Sequence, residues 1–123
     1  MNVLITGSSG FLGKEVVNIL NKQNFNLKFI SRRKIKKKNY IFCNLNNINK
    51  LKYILKSLKV DAVINLVAEV NFLKKTTDMY NVNSKCPYEI AKYCKKNKIH
   101  LIHISGTIVN GIKKTYSKKT KLN

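Results

Sequence analysis

Short apolar runs alternate with amphipathic segments along this chain. Residues 2–6 form an apolar run that stops at Gly7-Ser8-Ser9-Gly10, the pattern of a buried parallel strand ending in a tight turn. From Phe11 to Lys22 the apolar residues Phe11, Leu12, Val16, Val17, Ile19 and Leu20 recur at helical spacing. Residues 24–26 break that pattern, and residues 27–30 supply a second strand, followed by a charged loop over 31–39 and a short third strand over 40–42. Residues 46–59 carry Ile48, Leu51, Ile54, Leu55 and Leu58 on one helical face, and residues 60–67 return to a β-branched run. The longest helix is expected over 76–97, with Pro87 either kinking it or marking the first turn of its second half. A fifth strand follows over 99–105, and after Gly111 an exposed basic tail is expected. Strands alternating with helices in this way predict an α/β fold, a doubly wound parallel sheet of five strands in the order 3-2-1-4-5.

Length and composition narrow the class. A chain of 123 residues is one domain's worth, able to bury roughly two thirds of its unfolded surface. With 44% hydrophobic residues, one proline and five glycines it is a folding sequence rather than a disordered one. Cys43, Cys86 and Cys94 are odd in number and lack the short paired spacing of zinc or redox motifs, so they read as reduced thiols in a reducing compartment. No apolar run approaches the about 18 residues that cross a bilayer, and the start has no signal-peptide layout, so no membrane association and a cytoplasmic address are expected.

Charge changes the picture in one respect. Twenty-five Lys and Arg against five acids give a formal charge of +20, which attracts polyanions without selectivity. The lysines travel with Asn and Ile, as an AT-rich coding sequence produces without selection for binding. Zinc-finger spacing, a basic heptad repeat and the aromatic-basic signature of RNA-recognition sheets are all missing from the sequence. The aromatics Phe29, Tyr40 and Phe42 sit where strands would bury them. Nucleic-acid binding is therefore expected to be non-specific at most.

The chemistry lies in the glycine turn. Gly7-Ser8-Ser9-Gly10-Phe11-Leu12-Gly13 stands between a strand and a helix, the context that gives such a pattern meaning. Gly7 would permit the tight turn, Gly10 would let backbone approach a pyrophosphate, and Gly13 would let the helix pack on the sheet. The N–H groups of Phe11 and Leu12 would meet phosphate oxygens at the positive end of the helix. The candidate dinucleotide-binding residues here are Gly7, Ser9, Gly10, Phe11, Leu12 and Gly13; the alternative is a turn that uses its glycines for geometry alone. A nucleoside-triphosphate loop is excluded twice, by Ser8 where its opening glycine belongs and by Glu15 where a magnesium-holding hydroxyl belongs.

An acid about 20 residues beyond such a turn normally holds the ribose 2′-hydroxyl of NAD. No acid occurs between Glu15 and Asp61, and Ser31-Arg32-Arg33 stand there instead. Arg32 or Arg33 would pair with the 2′-phosphate of NADP, so NADP is expected over NAD. The alternative is that the two arginines merely begin the solvated loop that runs to Lys38.

The stretch from Thr6 to Gly13 resembles the TGxxGFLG fingerprint of the extended short-chain dehydrogenases/reductases, a family of sugar-nucleotide epimerases, dehydratases and reductases. Asn44-Leu45 resembles the family's Asp-Leu at the adenine, and the run from Asp61 to Ala68 resembles its fourth strand, which implies cofactor contacts at Asn44, Leu45, Val67 and Ala68. His103-Ile104-Ser105 with Val109 and Gly111 is similar to the end of its fifth strand. The runs from Val82 to Pro87 and from Leu101 to Ser105 are similar to the dTDP-4-dehydrorhamnose reductase branch. The resemblance covers residues 1–111 and implies a Rossmann-type NAD(P)-binding domain there, with 112–123 a basic tail or a truncated continuation.

Three positions depart from the family pattern. Asn44 replaces the family's Asp, Gly106 stands where a catalytic Ser or Thr belongs, flanked by Ser105 and Thr107, and Tyr116 has Thr120 four residues on, with Lys119 at three. Catalytic residues are accordingly unassigned, and a fold truncated before the substrate-binding half is expected. Asn81 and Asn83 stand either beside the cofactor or at the surface. His100 and His103 read as core or edge packing rather than metal ligands, and Glu69 and Asp78 receive no role.

These readings converge on the NAD(P)-binding half of a sugar-nucleotide reductase, epimerase or dehydratase, incomplete for catalysis, taking a sugar nucleotide only if completed by another chain. The alternatives are a non-catalytic dinucleotide-binding or regulatory module, and a basic nucleic-acid binder.

Overall fold

A computed structural model describes residues 1–71, 73 and 75–106. Its elements follow the expected alternation: β1 (Asn2–Thr6), α1 (Phe11–Lys22), β2 (Asn26–Ser31), β3 (Tyr40–Phe42), α2 (Ile48–Ser57), β4 (Ala62–Asn65), α3 (Thr76–Tyr80), a π-helical turn (Asn81–Lys85), α4 (Cys86–Asn97) and β5 (His100–His103). The five strands pair in parallel, in the order β3-β2-β1-β4-β5. This is the Rossmann-type sheet that the sequence pattern predicts. The tail after Gly111, together with Thr107, Val109, Tyr116, Lys119 and Thr120, lies outside the described residues.

Successive side chains of a strand point to opposite faces, and β1 uses both. Val3 and Ile5 join Leu27, Phe29, Ala62 and Ile64 on the face covered by Val16, Val17 and Leu20 of α1. Leu4 joins Ile30 and Val63 on the other, against Leu51, Ile54 and Leu55 of α2 and Cys86, Ile90 and Cys94 of α4. All three cysteines are buried and free, so they are core thiols.

Several elements differ from expectation in instructive ways. The single helix over 76–97 resolves into α3, the π-helical turn and α4, with Pro87 in the first turn of α4, the second of the two placements the sequence allows it. Proline lacks the N–H for a helical bond and crowds the carbonyl of the preceding turn, and the wider π turn accommodates that clash without ending the helical path. On α1, Val16, Val17 and Leu20 reach the core while Phe11, Leu12 and Ile19 are exposed. Phe42, expected to be buried, is 40% exposed. It ends the short outer strand β3, and the ammonium groups of Lys50 and Lys34 lie 4.4 and 5.6 Å from its ring centroid, so cations rather than core atoms cover it.

The turn after β1 is the tightest place in the fold. Gly7 has φ +74°, and a Cβ there would stand 2.9 Å from both the Leu66 carbonyl carbon and the Val67 nitrogen. At Gly13 a Cβ would come within 2.1 Å of the Gly7 carbonyl oxygen. α1 can therefore start directly above the end of β1 only because position 13 has no side chain.

Gly13→Ala is expected to destabilise the fold by about 3 kcal/mol, because backbone must shift to admit the methyl group. At Gly10 a Cβ would meet only the Gly7 oxygen, at 3.3 Å, so Gly10→Ala is expected to cost about 1 kcal/mol. Urea unfolding of the two variants followed by circular dichroism checks the contrast; equal losses would refute the contact argument.

Candidate functional site

All five strands of a parallel sheet end on the same edge, and the path of this chain reverses between β1 and β4. In such sheets the crevice for a ligand opens where the strand order reverses. A cleft of about 330 Å³ lies there, lined by the turn after β1, the end of β2, the segments after β3 and β4, and Asp78 and Val82. Ile30, Leu66, Val67, Val82 and Cys43 give it an apolar floor, and Ser8, Ser9, Ser31, Arg32, Arg33, Asn44 and Asn46 give it polar walls.

The start of α1 opens onto this cleft through Gly10. Gly10 is the N-cap, no side chain caps the helix, and its first turn carries no acid. The contrast with α2 is direct, since Asn47 there accepts the Lys50 N–H at 3.0 Å. The first N–H groups of a helix have no partners within it and carry partial positive charge, so the uncapped start of α1 is suited to an anion. The Gly10 N–H itself donates to the Gly7 carbonyl at 3.1 Å, which closes the turn.

Of the residues singled out from the sequence, Gly7, Ser9, Gly10, Arg32, Arg33, Asn44, Leu45, Val67 and Ala68 all line the cleft. Phe11 and Leu12 form the first turn of α1 behind Gly10, with their side chains exposed, and Gly13 is the packing contact to Gly7. The Arg33 N–H donates to the Ser31 hydroxyl at 3.1 Å, which curls the chain at the end of β2. Asn44 Oδ1 accepts the Asn46 N–H at 3.1 Å, which shapes the segment after β3 and leaves the oxygen one further lone pair.

The asparagines after Tyr80 have structural partners. Asn81 donates to Asn46 Oδ1 at 2.7 Å, and Asn46 in turn donates to Asp78 Oδ1 at 2.7 Å, so this pair of bonds ties α3 to the segment after β3. Asn81 is not among the residues lining the cleft. Asn83 grips the loop after β4, accepting the Glu69 N–H at 2.7 Å and donating to the Glu69 carbonyl at 2.8 Å.

Glu69 is the residue that sequence reasoning missed. It lines the cleft, its side chain is 13% exposed, Oε1 accepts the Asn71 N–H at 3.1 Å, and Oε2 lies 3.7 Å from Arg32 Nη1. An acid does stand at the end of β2, delivered by the loop after β4. The only signal for it in the chain was its place just past the fourth strand, on the same sheet edge as Arg32.

A second polar connection ties the strand ends together. The buried Thr6 hydroxyl donates to Asn65 Oδ1, and Asn65 Nδ2 lies 3.0 Å from His103 Nδ1. Because the amide is the donor, a neutral His103 carries its proton on Nε2. His103 and His100 sit exposed on the outer strand β5, and among the described residues no three His, Cys, Asp or Glu side chains group as a metal site. Ser105 and Gly106 are exposed beyond β5. No helix among the described residues is long and apolar enough to cross a membrane.

Beneath the cleft the Cys86 thiol is pushed up to about 12, first by burial and then by neighbouring Cys43, and burial also raises Cys43 and Cys94. All three are expected to resist alkylation by iodoacetamide at pH 8 in the folded protein and to react fully in urea; rapid labelling of the native form would contradict this packing. The unfolded thiols ionise first, so their contribution to stability is complete below about pH 9 and is lost as pH rises beyond it.

Comparison with known proteins agrees with the architecture. The family model described as the RmlD substrate binding domain matches residues 1–123. A hypothetical dTDP-4-dehydrorhamnose reductase from Sulfolobus tokodaii superposes with TM-score 0.77 at 25% identity, over 100% of this chain and 46% of that one. The Bordetella bronchiseptica enzyme WbmG in complex with NAD gives 0.82 at 18% identity, over 100% and 44%. A dTDP-glucose 4,6-dehydratase from Bacillus anthracis in complex with NAD gives 0.74 at 22%, over 100% and 44%. The chain thus spans less than half the length of these solved structures. A search of curated proteins gave no match.

Proposed function

Since the chain belongs to the RmlD substrate binding domain family, we propose that its cleft binds a nicotinamide adenine dinucleotide, as the cofactor-binding half of a sugar-nucleotide reductase, epimerase or dehydratase. The observation that carries this reading is the uncapped start of α1 facing the cleft across Gly10. Gly7 and Gly13 are required by the protein's own packing, whereas a Cβ at Gly10 meets one protein atom at 3.3 Å. The absence of a side chain at Gly10 therefore serves chiefly to keep the approach to the helix open, which fits a pyrophosphate resting against backbone. The solved relatives with NAD bound support the same assignment.

In this reading the N–H groups of Phe11 and Leu12, with Ser9 beside them, hold the pyrophosphate, and Asn44 and Leu45 border the adenine. Val67 and Ala68 complete the lining of the cleft beside the glycine turn. Asn44 meets the adenine amine through the free lone pair of Oδ1, a neutral contact and weaker than a carboxylate's. Arg32 and Arg33 at the end of β2 support NADP over NAD, because a guanidinium pairs with a 2′-phosphate and finds no such partner on a 2′-hydroxyl. The bound cofactor supplies hydride transfer; the residues named here bind and orient it. Contact with a sugar nucleotide is assigned to a further half of the kind the solved relatives contain, and any association with nucleic acid to non-specific charge attraction.

Titration of the full 123-residue chain into NADPH, read by nicotinamide fluorescence, tests the proposal. Saturable binding is expected, and Gly10→Val should weaken it by at least about tenfold while the circular dichroism stays native, since its side chain occupies the approach to the helix. A flat titration from folded wild-type protein, or full binding by folded Gly10→Val, would overturn the proposal.

A further inference from the structure

The position that reads the ribose 2′ group lies at the end of β2, about 20 residues beyond the glycine turn. Arg32 occupies it, and the carboxylate nearest to its guanidinium comes from the loop after β4, with Glu69 Oε2 at 3.7 Å. The two partners differ in freedom. Arg32 has a side chain 68% exposed, whereas that of Glu69 is 13% exposed. Asn83 holds both backbone groups of Glu69, and the Asn71 N–H holds its carboxylate. Glu69 is thus the fixed charge and Arg32 the movable one. A fixed carboxylate beside the 2′ position accepts a hydroxyl readily, opposes the nearly double negative charge of a phosphate, and competes with that phosphate for Arg32.

Resting on the cofactor reading above, we propose that Glu69 is a selectivity residue that weakens binding of a 2′-phosphorylated dinucleotide. It takes the discriminating role of an acid at the end of β2, although the chain places it on a different strand. Arg32 and Arg33 draw the 2′-phosphate in and Glu69 limits how much they gain, so the Arg32–Glu69 ion pair sets the balance between NADP and NAD.

The test is to titrate NADPH and NADH separately into wild-type chain, Glu69→Gln, Arg32→Ala and the double variant, with circular dichroism as the check on folding. Glu69→Gln keeps an acceptor for the Asn71 N–H and is expected to tighten NADPH about tenfold, the effect of one carboxylate on a doubly charged group near a surface, while NADH is held no tighter than by the wild type. In the Arg32→Ala background the same substitution should give a smaller gain, because only direct repulsion then remains. Should Glu69→Gln fold poorly, Glu69→Ala carries the same comparison. A ratio of NADPH to NADH affinity that stays within twofold of wild type, or a gain shared equally by both cofactors, would overturn the role of Glu69 while leaving the binding site intact. Failure of every folded variant to bind either cofactor would overturn the cofactor reading and this inference with it.

Discussion

The close approach of Gly13 to the Gly7 carbonyl governs the rest of the structure. It brings the first turn of α1 directly over the end of β1, so that the positive end of the helix meets the crevice where the strand order reverses. A single methyl group at position 13 would push the two apart. Everything else at the strand ends is arranged around that fixed point: Leu66 and Val67, just past β4, stand against Gly7, and the segments after β2, β3 and β4 build walls around the opening.

Those walls are held largely by neutral amides, which suits a chain with 25 basic residues and five acids. Asn44 and Asn46 shape the segment after β3, Asn81 ties it to the helical arm, Asn83 clamps the loop after β4, and buried Asn65 links β1 to β5. An amide donates and accepts at once and carries no charge that burial would penalise. The few carboxylates are used where a single charge counts. Asp61 takes the Asn2 N–H at 2.6 Å, Asp78 takes Asn46, and Glu69 faces Arg32. Of these, Asp78 and Glu69 line the cleft, where they bear on which ligand enters, whereas Asp61 lies at the opposite ends of the strands.

Much of this was legible in the chain, for identifiable reasons. The β1 run, the glycine turn and the span of α1 are local signals, and the strand order follows from how strands alternate with helices; the fold has each of them where the chain put it. Helix spacing alone did not separate Val16, Val17 and Leu20, which pack, from Phe11, Leu12 and Ile19, which do not, because burial depends on what lies opposite. Pro87 announced a disturbance, and only the backbone shows that a π turn absorbs it. Phe42 has the residue type of a core position, but it ends the outer strand past Tyr40 and Ile41, which pack inward, and lies exposed against the Lys34 and Lys50 ammonium groups. Glu69 was invisible as the partner of Arg32 because 37 positions of chain separate them and the sheet alone makes them neighbours.

The account rests on main-chain N–H groups at the start of α1 receiving a ligand's phosphates. The most direct measurement is a set of two-dimensional 15N–1H spectra of the labelled chain as NADPH is added. The largest shifts should fall on the amides of Ser9, Gly10, Phe11, Leu12 and Gly13, with smaller ones after β2 and β3. Shifts confined to the lysine-bearing surfaces of α2 and α4, with the glycine turn unmoved, would contradict it.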